Sequence, residues 1–251
     1  MKEPRAFRRP AAAKRPSETL LTKAVNRRAY TRPVTHNKGN PMNKLTLYTY
    51  PQSRGTIVVW MLKECGAAFD TVLLPFGEAM KSAEYLAVNP MGKVPALKAG
   101  DTVITETAAI VTFLAEQFPE KNLIPAAGTL ARGEYYRWLC FALQLEYAAF
   151  DRRNQIQSSE ERRNTIGYGD FDTAFGTLRR HLAAREFIVG NRFSALDIYY
   201  AMLLAQFTRV MPVPGLACDV FEQYINRHTE RAAFGETMAW VQEKLAQMNN
   251  P

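Results

Sequence analysis

The sequence predicts an α/β domain with the element order β-α-β-α-β-β-α, followed by an all-α domain. Two observations support this fold class. Short β-rich runs alternate with helical stretches between residues 43 and 118. After a Pro- and Gly-containing linker, apolar residues recur at helical spacing to the end of the chain. The predicted domains span residues 42–120 and 128–251, and a length of 251 residues suits two moderate domains.

The positive charge of the chain is concentrated at its N-terminus. Residues 1–41 carry 11 of the 32 Lys and Arg residues and two of the 24 acidic residues, a net charge of +9. The remaining residues hold 21 basic and 22 acidic side chains, a net charge of −1, which gives the formal total of +8. They lack hydrophobic periodicity, which predicts a basic disordered extension. Two alternatives stay open: an artefact upstream of a true start at Met42, or a targeting or nucleic-acid-binding arm. Because the rest of the chain is near neutral, we expect no nucleic-acid partner for the folded part.

The composition excludes several other classes of protein. No run of about 18 apolar residues is present, which argues against a membrane-spanning helix. The three histidines are scattered, and the three cysteines are odd in number and far apart, at Cys65, Cys140 and Cys218. The sequence therefore predicts neither a disulfide framework nor a metal site.

The first elements form a β-α-β unit. Residues 45–50 alternate in polarity and are β-rich, which predicts a strand. A turn at 51–55 leads into a helix over 56–65, and Gly66 is a typical C-terminal stop for that helix. Residues 71–74 predict the second strand.

The next elements are a short helix, a β-hairpin and a longer helix. The hairpin consists of strands at 96–98 and 102–104, joined by a turn at 99–101. The threonines and glutamate at 105–107 are typical of a helix start, and apolar residues continue the helix to about residue 118.

Two motifs in this region carry a resemblance to a known family. The run N-P-x-G-K-V-P-x-L at 89–97, followed by E-T-x-A-I at 106–110, resembles the thioredoxin-like half of the cytosolic glutathione transferases. The resemblance extends over about residues 44–245. It implies a cytoplasmic, homodimeric detoxification enzyme without a metal or a membrane partner. Its reaction would transfer the thiolate of glutathione, the co-substrate, to a small hydrophobic electrophile.

The resemblance implies that the first motif binds the glutathione backbone. The bond between Val94 and Pro95 is cis in the family, so that the Val94 N–H and C=O can pair with the cysteinyl backbone of glutathione. Lys93 is placed to meet the glycyl carboxylate. The alternative is that Pro95 only shapes a hairpin corner and that Lys93 is an ordinary surface lysine.

The resemblance also implies that the second motif binds the γ-glutamyl end. Free N–H groups at a helix N-terminus favour an anion, so the γ-glutamyl carboxylate can bond the Thr107 backbone and hydroxyl. Glu106 can pair with the amino group. The alternative is ordinary helix capping by Thr105 or Thr107.

The family activates the thiol from the end of the first strand or the start of the first helix. A hydroxyl donor there favours thiolate over thiol. Ser53, supported by the charge of Arg54, is the predicted catalytic pair. Tyr48 is the alternative if Trp60 sets the alignment, and Tyr50 is another. Ser53 could instead serve only as a helix N-cap.

Helices are predicted over 129–157, 170–184, 198–207, 217–227 and 230–247. Ser194 and Asp197 have the spacing of a capping box, so we interpret Asp197 as structural. By resemblance, the electrophile site lies between the two halves and involves the long helix. Residues on that helix are candidates for its lining or are simply core and surface positions: Tyr147, Phe150, Asp151, Arg152 and Arg153.

Three functions remain in competition. The leading hypothesis is a glutathione transferase. One alternative is a transferase-like module that binds or regulates without catalysis. Another is a glutathione-dependent reductase or peroxidase, which would favour a cysteine near Ser53, whereas Cys65 lies at the far end of that helix.

Overall fold

The computed structural model describes residues 44–249, and a single four-stranded sheet organises their first half. The strands are β1 (Leu45–Thr49), β2 (Phe69–Leu73), β3 (Ala96–Ala99) and β4 (Thr102–Thr105). Their order in the sheet is β2-β1-β3-β4. Strand β1 runs parallel to β2, and β3 runs antiparallel to both β1 and β4.

Three helices cover the sheet. They are α1 (Gly55–Cys65), α2 (Ala83–Val88) and α3 (Thr107–Gln117), and a 3₁₀ turn at Glu78–Lys81 precedes α2. Helices α1 and α3 pack against each other on one face. Tyr85 of α2 belongs to a smaller apolar cluster on the other face. The predicted order β-α-β-α-β-β-α and its thioredoxin-like arrangement are confirmed.

The second half is helical in the residues that the structure describes, as predicted. The helices are α4 (Leu130–Arg153), α5 (Glu160–Thr165), α6 (Phe171–Ala183), α7 (Ala195–Ala205), α8 (Asp219–Thr229) and α9 (Ala232–Asn249). Helix α7 continues directly into one π-helical turn at Gln206–Val210, which the sequence did not predict. No helix between residues 44 and 249 is long and apolar enough to cross a membrane.

One hydrophobic core extends through both halves. Trp60 of α1, Trp138 of α4 and Tyr199 of α7 are all at most 1% exposed and belong to the same cluster. Helix α1 packs against α3 of the first half and against α7 and α9 of the second half. The N-terminus of α1 therefore lies at the junction between the halves.

The capping box at the start of α7 is confirmed. Asp197 is fully buried, and both of its carboxylate oxygens accept hydrogen bonds. Oδ2 accepts from the Ser194 N–H and Oγ–H, at 2.8 Å each. Oδ1 accepts from the Ile188 N–H at 2.8 Å and from the Tyr224 hydroxyl at 2.7 Å. This satisfied carboxylate stabilises the fold and is remote from solvent.

The predicted basic extension at residues 1–41 lies outside the described residues. The predicted domain limits of 42–120 and 128–251 stay predictions. Between α3 and α4 the chain forms a short 3₁₀ turn at Pro119–Lys121 and then an irregular segment.

Candidate functional site

A cleft of about 700 Å³ opens where the start of α1 meets the segment before β3 and the helices α4 and α7. This size falls within the range of roughly 300–1,000 Å³ that holds small-molecule ligands. One side of the cleft is polar and includes Ser53, Arg54, Lys81 and Lys93. The opposite side, which we call the helical wall, consists of Glu146, Phe150, Met202, Leu203, Gln206, Phe207 and Met211.

Ser53 organises the turn between β1 and α1. Its Oγ–H donates to the Tyr50 carbonyl at 2.7 Å, and Oγ accepts from the Gly55 N–H at 3.0 Å. Arg54, rather than Ser53, occupies the N-cap position of α1, and the Arg54 side chain itself makes no capping hydrogen bond. The Ser53 hydroxyl lines the cleft and can donate to a ligand if its hydrogen turns away from Tyr50.

The close approach of β1 and α1 requires a glycine at this turn. A Cβ on Gly55 would lie 1.8 Å from Oγ1 of Thr49, which is itself fully buried at the end of β1. Gly55 thus allows the start of the helix, and with it Ser53 and Arg54, to lie directly against the end of the strand.

Arg54 links the two halves of the fold across the cleft. Its Nη1 lies 2.6 Å from Oε2 of Glu146, and the Arg54 side chain is 52% exposed while that of Glu146 is 6% exposed. The Tyr199 hydroxyl donates to Oε1 of Glu146 at 2.7 Å. Burial lowers the pKa of Arg54, but the Glu146 carboxylate more than compensates, so the pKa is above its usual value. Arg54 therefore presents a permanent positive charge to the cleft.

The loop before β3 exposes a short backbone edge. The Val94–Pro95 bond is cis, as the family resemblance implies. The Lys93 carbonyl accepts from the Tyr85 hydroxyl at 2.5 Å and from Asn89 Nδ2 at 2.8 Å, which fixes this loop. Within residues 44–249, neither the N–H nor the C=O of Val94 makes a backbone hydrogen bond. Lys93 and Val94 line the cleft, and Pro95 is buried behind them.

A glycine and a lysine also fix the conformation of this loop. Gly92 has φ +57°, and a Cβ there would lie 2.5 Å from the Met80 carbonyl oxygen. Nζ of Lys81 donates to the carbonyls of Met91 at 3.0 Å and Gly92 at 3.3 Å. Lys81 lines the cleft and was missed by the sequence reasoning, because nothing in its local pattern distinguishes it from a surface lysine.

The start of α3 presents unoccupied N–H groups. Glu106 is the N-cap residue with φ 67°, a backbone conformation that is uncommon for a non-glycine residue and concentrates at functional sites. Among residues 44–249, no side chain makes a capping hydrogen bond to α3, so these residues do not show the capping alternative for Thr105 and Thr107. Thr107 is buried and Glu106 is exposed. Neither lines the cleft itself, but the charge of Glu106 acts on Arg54.

The alternative tyrosines lie outside the cleft. Tyr48 faces away from α1 and packs beside Tyr85, with ring centroids 5.8 Å apart. Tyr50 packs against Phe76 at 4.7 Å, and its hydroxyl donates to Gln52 at 3.4 Å. The strand alternation of β1 explains this placement, because Leu45, Leu47 and Thr49 take the α1 side.

Of the five candidates on the long helix, only Phe150 lines the cleft. Asp151 accepts from Arg162 at 2.5 Å and also from the Tyr168 hydroxyl. The Arg152 guanidinium lies over the Phe171 ring, and Arg153 donates to a backbone carbonyl. Their charges therefore serve the helical half of the fold.

Glu146, Tyr199 and Gln206 were not predicted from the sequence as site residues. A signal for Glu146 was available, since it is an acidic residue that directly follows Leu145 on the buried face of a helix. A buried carboxylate needs a partner, which points to a nearby arginine. Nothing in the sequence indicated that the partner would be Arg54, 92 residues away.

Known proteins resemble this chain in sequence and fold. The family models for the N-terminal and C-terminal domains of glutathione S-transferases match residues 55–117 and 147–243. Glutathione S-transferase 3 of Zea mays is 27% identical over 220 residues, which cover 80% of this chain and 96% of that protein. Glutathione S-transferase GstA of Escherichia coli O157:H7 is 29% identical over 122 residues, or 48% of this chain and 60% of that protein.

A solved structure agrees with these matches. The sphingomonad glutathione S-transferase complexed with glutathione has a TM-score of 0.63 and 28% identity, over 78% of this chain and 98% of that chain.

In residues 44–249, no group of three or more His, Cys, Asp or Glu side chains is arranged to hold a metal ion. The fold, the cleft at the junction of its halves and the two matching family models lead to one conclusion: the chain belongs to the glutathione S-transferase superfamily.

Proposed function

We propose that this protein is a glutathione S-transferase that binds glutathione, stabilises its thiolate and transfers it to a small hydrophobic electrophile. The observation that carries the proposal is the pairing of two surfaces in one cleft. The polar side offers cations and an unpaired backbone edge, and the helical wall opposite is largely apolar. A charged tripeptide and an apolar electrophile need such opposed surfaces.

Four groups would hold glutathione. The free N–H and C=O of Val94 pair with its cysteinyl backbone, and the Pro95 bond keeps that edge oriented toward the cleft. Lys93 meets the glycyl carboxylate. The uncapped first turn of α3 at Thr107 receives the γ-glutamyl carboxylate, and the Glu106 carboxylate pairs with the amino group.

Catalysis would rest on Ser53 and Arg54. A thiolate is stabilised when a hydroxyl donates to it and a fixed positive charge lies nearby. Ser53 supplies the hydroxyl, and Arg54, held by Glu146, supplies the charge. The sulfur then attacks the electrophilic carbon, a C–S bond forms, and the leaving group departs with its electron pair. Holding both reactants in one cleft supplies the rest of the rate gain.

The remaining expectations follow from likeness to the family. We propose a homodimer located in the cytoplasm, in which residues 42–120 form the glutathione-binding domain and residues 128–251 the helical domain. The reaction as written needs no metal and no nucleic acid.

Substitution of Ser53 and Tyr48 tests the catalytic assignment. We expect Ser53→Ala to lower kcat/KM for conjugation by about tenfold or more, because it removes a hydrogen bond to a charged sulfur. Tyr48→Phe should leave the rate unchanged, since the Tyr48 ring lies outside the cleft. Ser53→Thr keeps the hydroxyl and serves as the matched control. Equal rates for Ser53→Ala and the unmodified protein would refute the assignment, and glutathione binding without any turnover would favour a non-catalytic module.

A further inference from the structure

The helical wall contains one side chain whose polar atoms have no partner. Within residues 44–249, the Gln206 amide makes no side-chain hydrogen bond, although it lines the cleft and is half-buried. The other polar residue of the wall, Glu146, is fully engaged by Arg54 and Tyr199. An amide in an apolar pocket gains from a partner that the protein itself does not supply.

The π-helical turn adds Met211 to the wall beside this amide. The Met211 N–H donates to the Gln206 carbonyl at 2.7 Å, a spacing of five residues. In a regular α-helix, residues five apart point about 140° away from each other. Here Gln206, Phe207 and Met211 all line the cleft. Single π turns occur often at functional sites, and this one places Met211 on the same side as Gln206.

The surroundings of the amide suit an aromatic ring. The Phe150 and Phe207 rings meet edge to face with centroids 5.1 Å apart, and Met202 and Met211 lie beside them. Methionine sulfur packs favourably on aromatic rings, and it is at most a weak hydrogen-bond acceptor. Nε2 of Gln206 is therefore the neutral N–H donor that the described wall offers to a ligand.

We infer that Gln206 is a specificity residue that selects aromatic electrophiles carrying a hydrogen-bond acceptor on the ring. The inference rests on the proposed transferase function and adds a substrate class to it. The ring packs against the phenylalanines and methionines, and the acceptor, for example a nitro oxygen, takes the hydrogen bond from Nε2. One donor in an apolar surface fixes one orientation of the ring.

A matched pair of probes isolates this contact. Benzyl chloride and 4-nitrobenzyl chloride react in the same way: the glutathione sulfur forms a bond to the benzylic carbon, chloride leaves with the C–Cl electron pair, and the thiol proton goes to solvent. Only the second probe carries a ring acceptor. Each enzymatic kcat/KM is divided by the uncatalysed rate constant, which removes the intrinsic effect of the nitro group.

The readout is the ratio of the two corrected kcat/KM values. Gln206→Met keeps length and apolar packing but lacks the donor, so we expect it to lower the 4-nitrobenzyl to benzyl ratio by about 3- to 10-fold. Gln206→Glu keeps the shape without the N–H group and should lower the same ratio. Gln223→Met, on the exposed face of α8, is the control and should leave the ratio unchanged.

The possible outcomes separate this inference from the proposed function. A ratio that stays constant in both Gln206 variants, with conjugation of benzyl chloride intact in the unmodified protein, overturns the inference alone. Failure of the unmodified protein to conjugate either probe overturns the proposed function and this inference with it.

Discussion

At the scale of single residues, Arg54 is the side chain on which the site depends most. It lies at the N-cap of α1, and its ion pair with Glu146 connects the first half of the fold to α4. Glu146 is buried, so the loss of Arg54 would leave a carboxylate with only the Tyr199 hydroxyl as partner. Removing one member of a buried pair costs more than the pair itself contributes.

We expect Arg54→Met to lower the free energy of unfolding by about 1–3 kcal/mol. This is less than the usual cost of breaking a fully buried ion pair, because the arginine is half exposed. The matched control is Arg209→Met, which breaks an exposed pair with Glu222 at 2.6 Å and should cost less than about 1 kcal/mol. Chemical denaturation measures both. Adding Glu146→Gln to Arg54→Met should restore part of the loss, and an equal cost for the two arginines would contradict the account.

We expect His228 to make the stability of the protein depend on pH. Burial lowers the pKa of His228 to about 4, and the charges of Arg227 and Arg231 act in the same direction. Its Nε2 lies 3.0 Å from the Glu186 carbonyl. The unfolded chain binds the proton near pH 6.5, so the contribution of His228 is complete above that pH and declines as the pH falls toward 4.

We expect the unmodified protein to lose about 2 kcal/mol of stability between pH 7 and pH 5 relative to His228→Phe, which keeps a ring in the aromatic cluster. The comparison is needed because burial raises the pKa of Asp197 to about 6, which acts in the opposite direction, and Oδ1 of Asp197 lies 3.9 Å from Nε2 of His228. Denaturation at both pH values measures the difference. Parallel pH profiles for the two proteins would show that His228 is not the responsible group.

At the scale of elements, the junction between β1 and α1 sets the position of Ser53 and Arg54. Gly55 is required there because its Cα lies against Thr49. We expect Gly55→Ala to destabilise the protein by about 1–3 kcal/mol and to weaken glutathione conjugation, since the turn must shift. Gly133→Ala in α4, where an added Cβ meets no atom within 4 Å, should instead stabilise by about 0.5–1 kcal/mol.

Thermal or chemical denaturation of both glycine variants checks this contrast. Thr49→Ala combined with Gly55→Ala should recover part of the loss, because it removes the hydroxyl that the new methyl group meets. If Gly55→Ala is as stable as Gly133→Ala, the close approach of strand and helix is not a real constraint.

The elements themselves were largely predictable from hydrophobic periodicity and turn residues, whereas their ends were not. Helix α4 was predicted to reach residue 157 but ends at Arg153, where Gln155 takes a positive φ of 56°. The π turn after α7 was not predicted, because the local pattern around Gln206 is that of an ordinary helix.

The site residues also divide into those that the sequence predicts and those that it does not. The motif residues Lys93, Val94, Glu106 and Thr107 are local in sequence, and their positions at a loop edge and a helix start could be predicted. Glu146 and Gln206 come from the helical half and reach the cleft only through the packing of that half against α1. No local pattern encodes that packing.

At the scale of the whole molecule, one core joins a sheet domain to a helical domain, and the cleft lies at their junction. We propose that the polar side of this cleft, together with the start of α3, binds glutathione. Isothermal titration of glutathione into the full chain tests this claim without assuming any electrophile or catalytic residue.

We predict saturable binding of one glutathione per chain, weakened by about tenfold or more in Glu106→Ala, because that variant loses a charged hydrogen bond to the ligand. Glu120→Ala, an exposed acidic residue in the turn after α3, should bind as the unmodified protein does. The absence of binding would refute this glutathione site, and equal affinities in Glu106→Ala and the unmodified protein would refute the role of Glu106 in it.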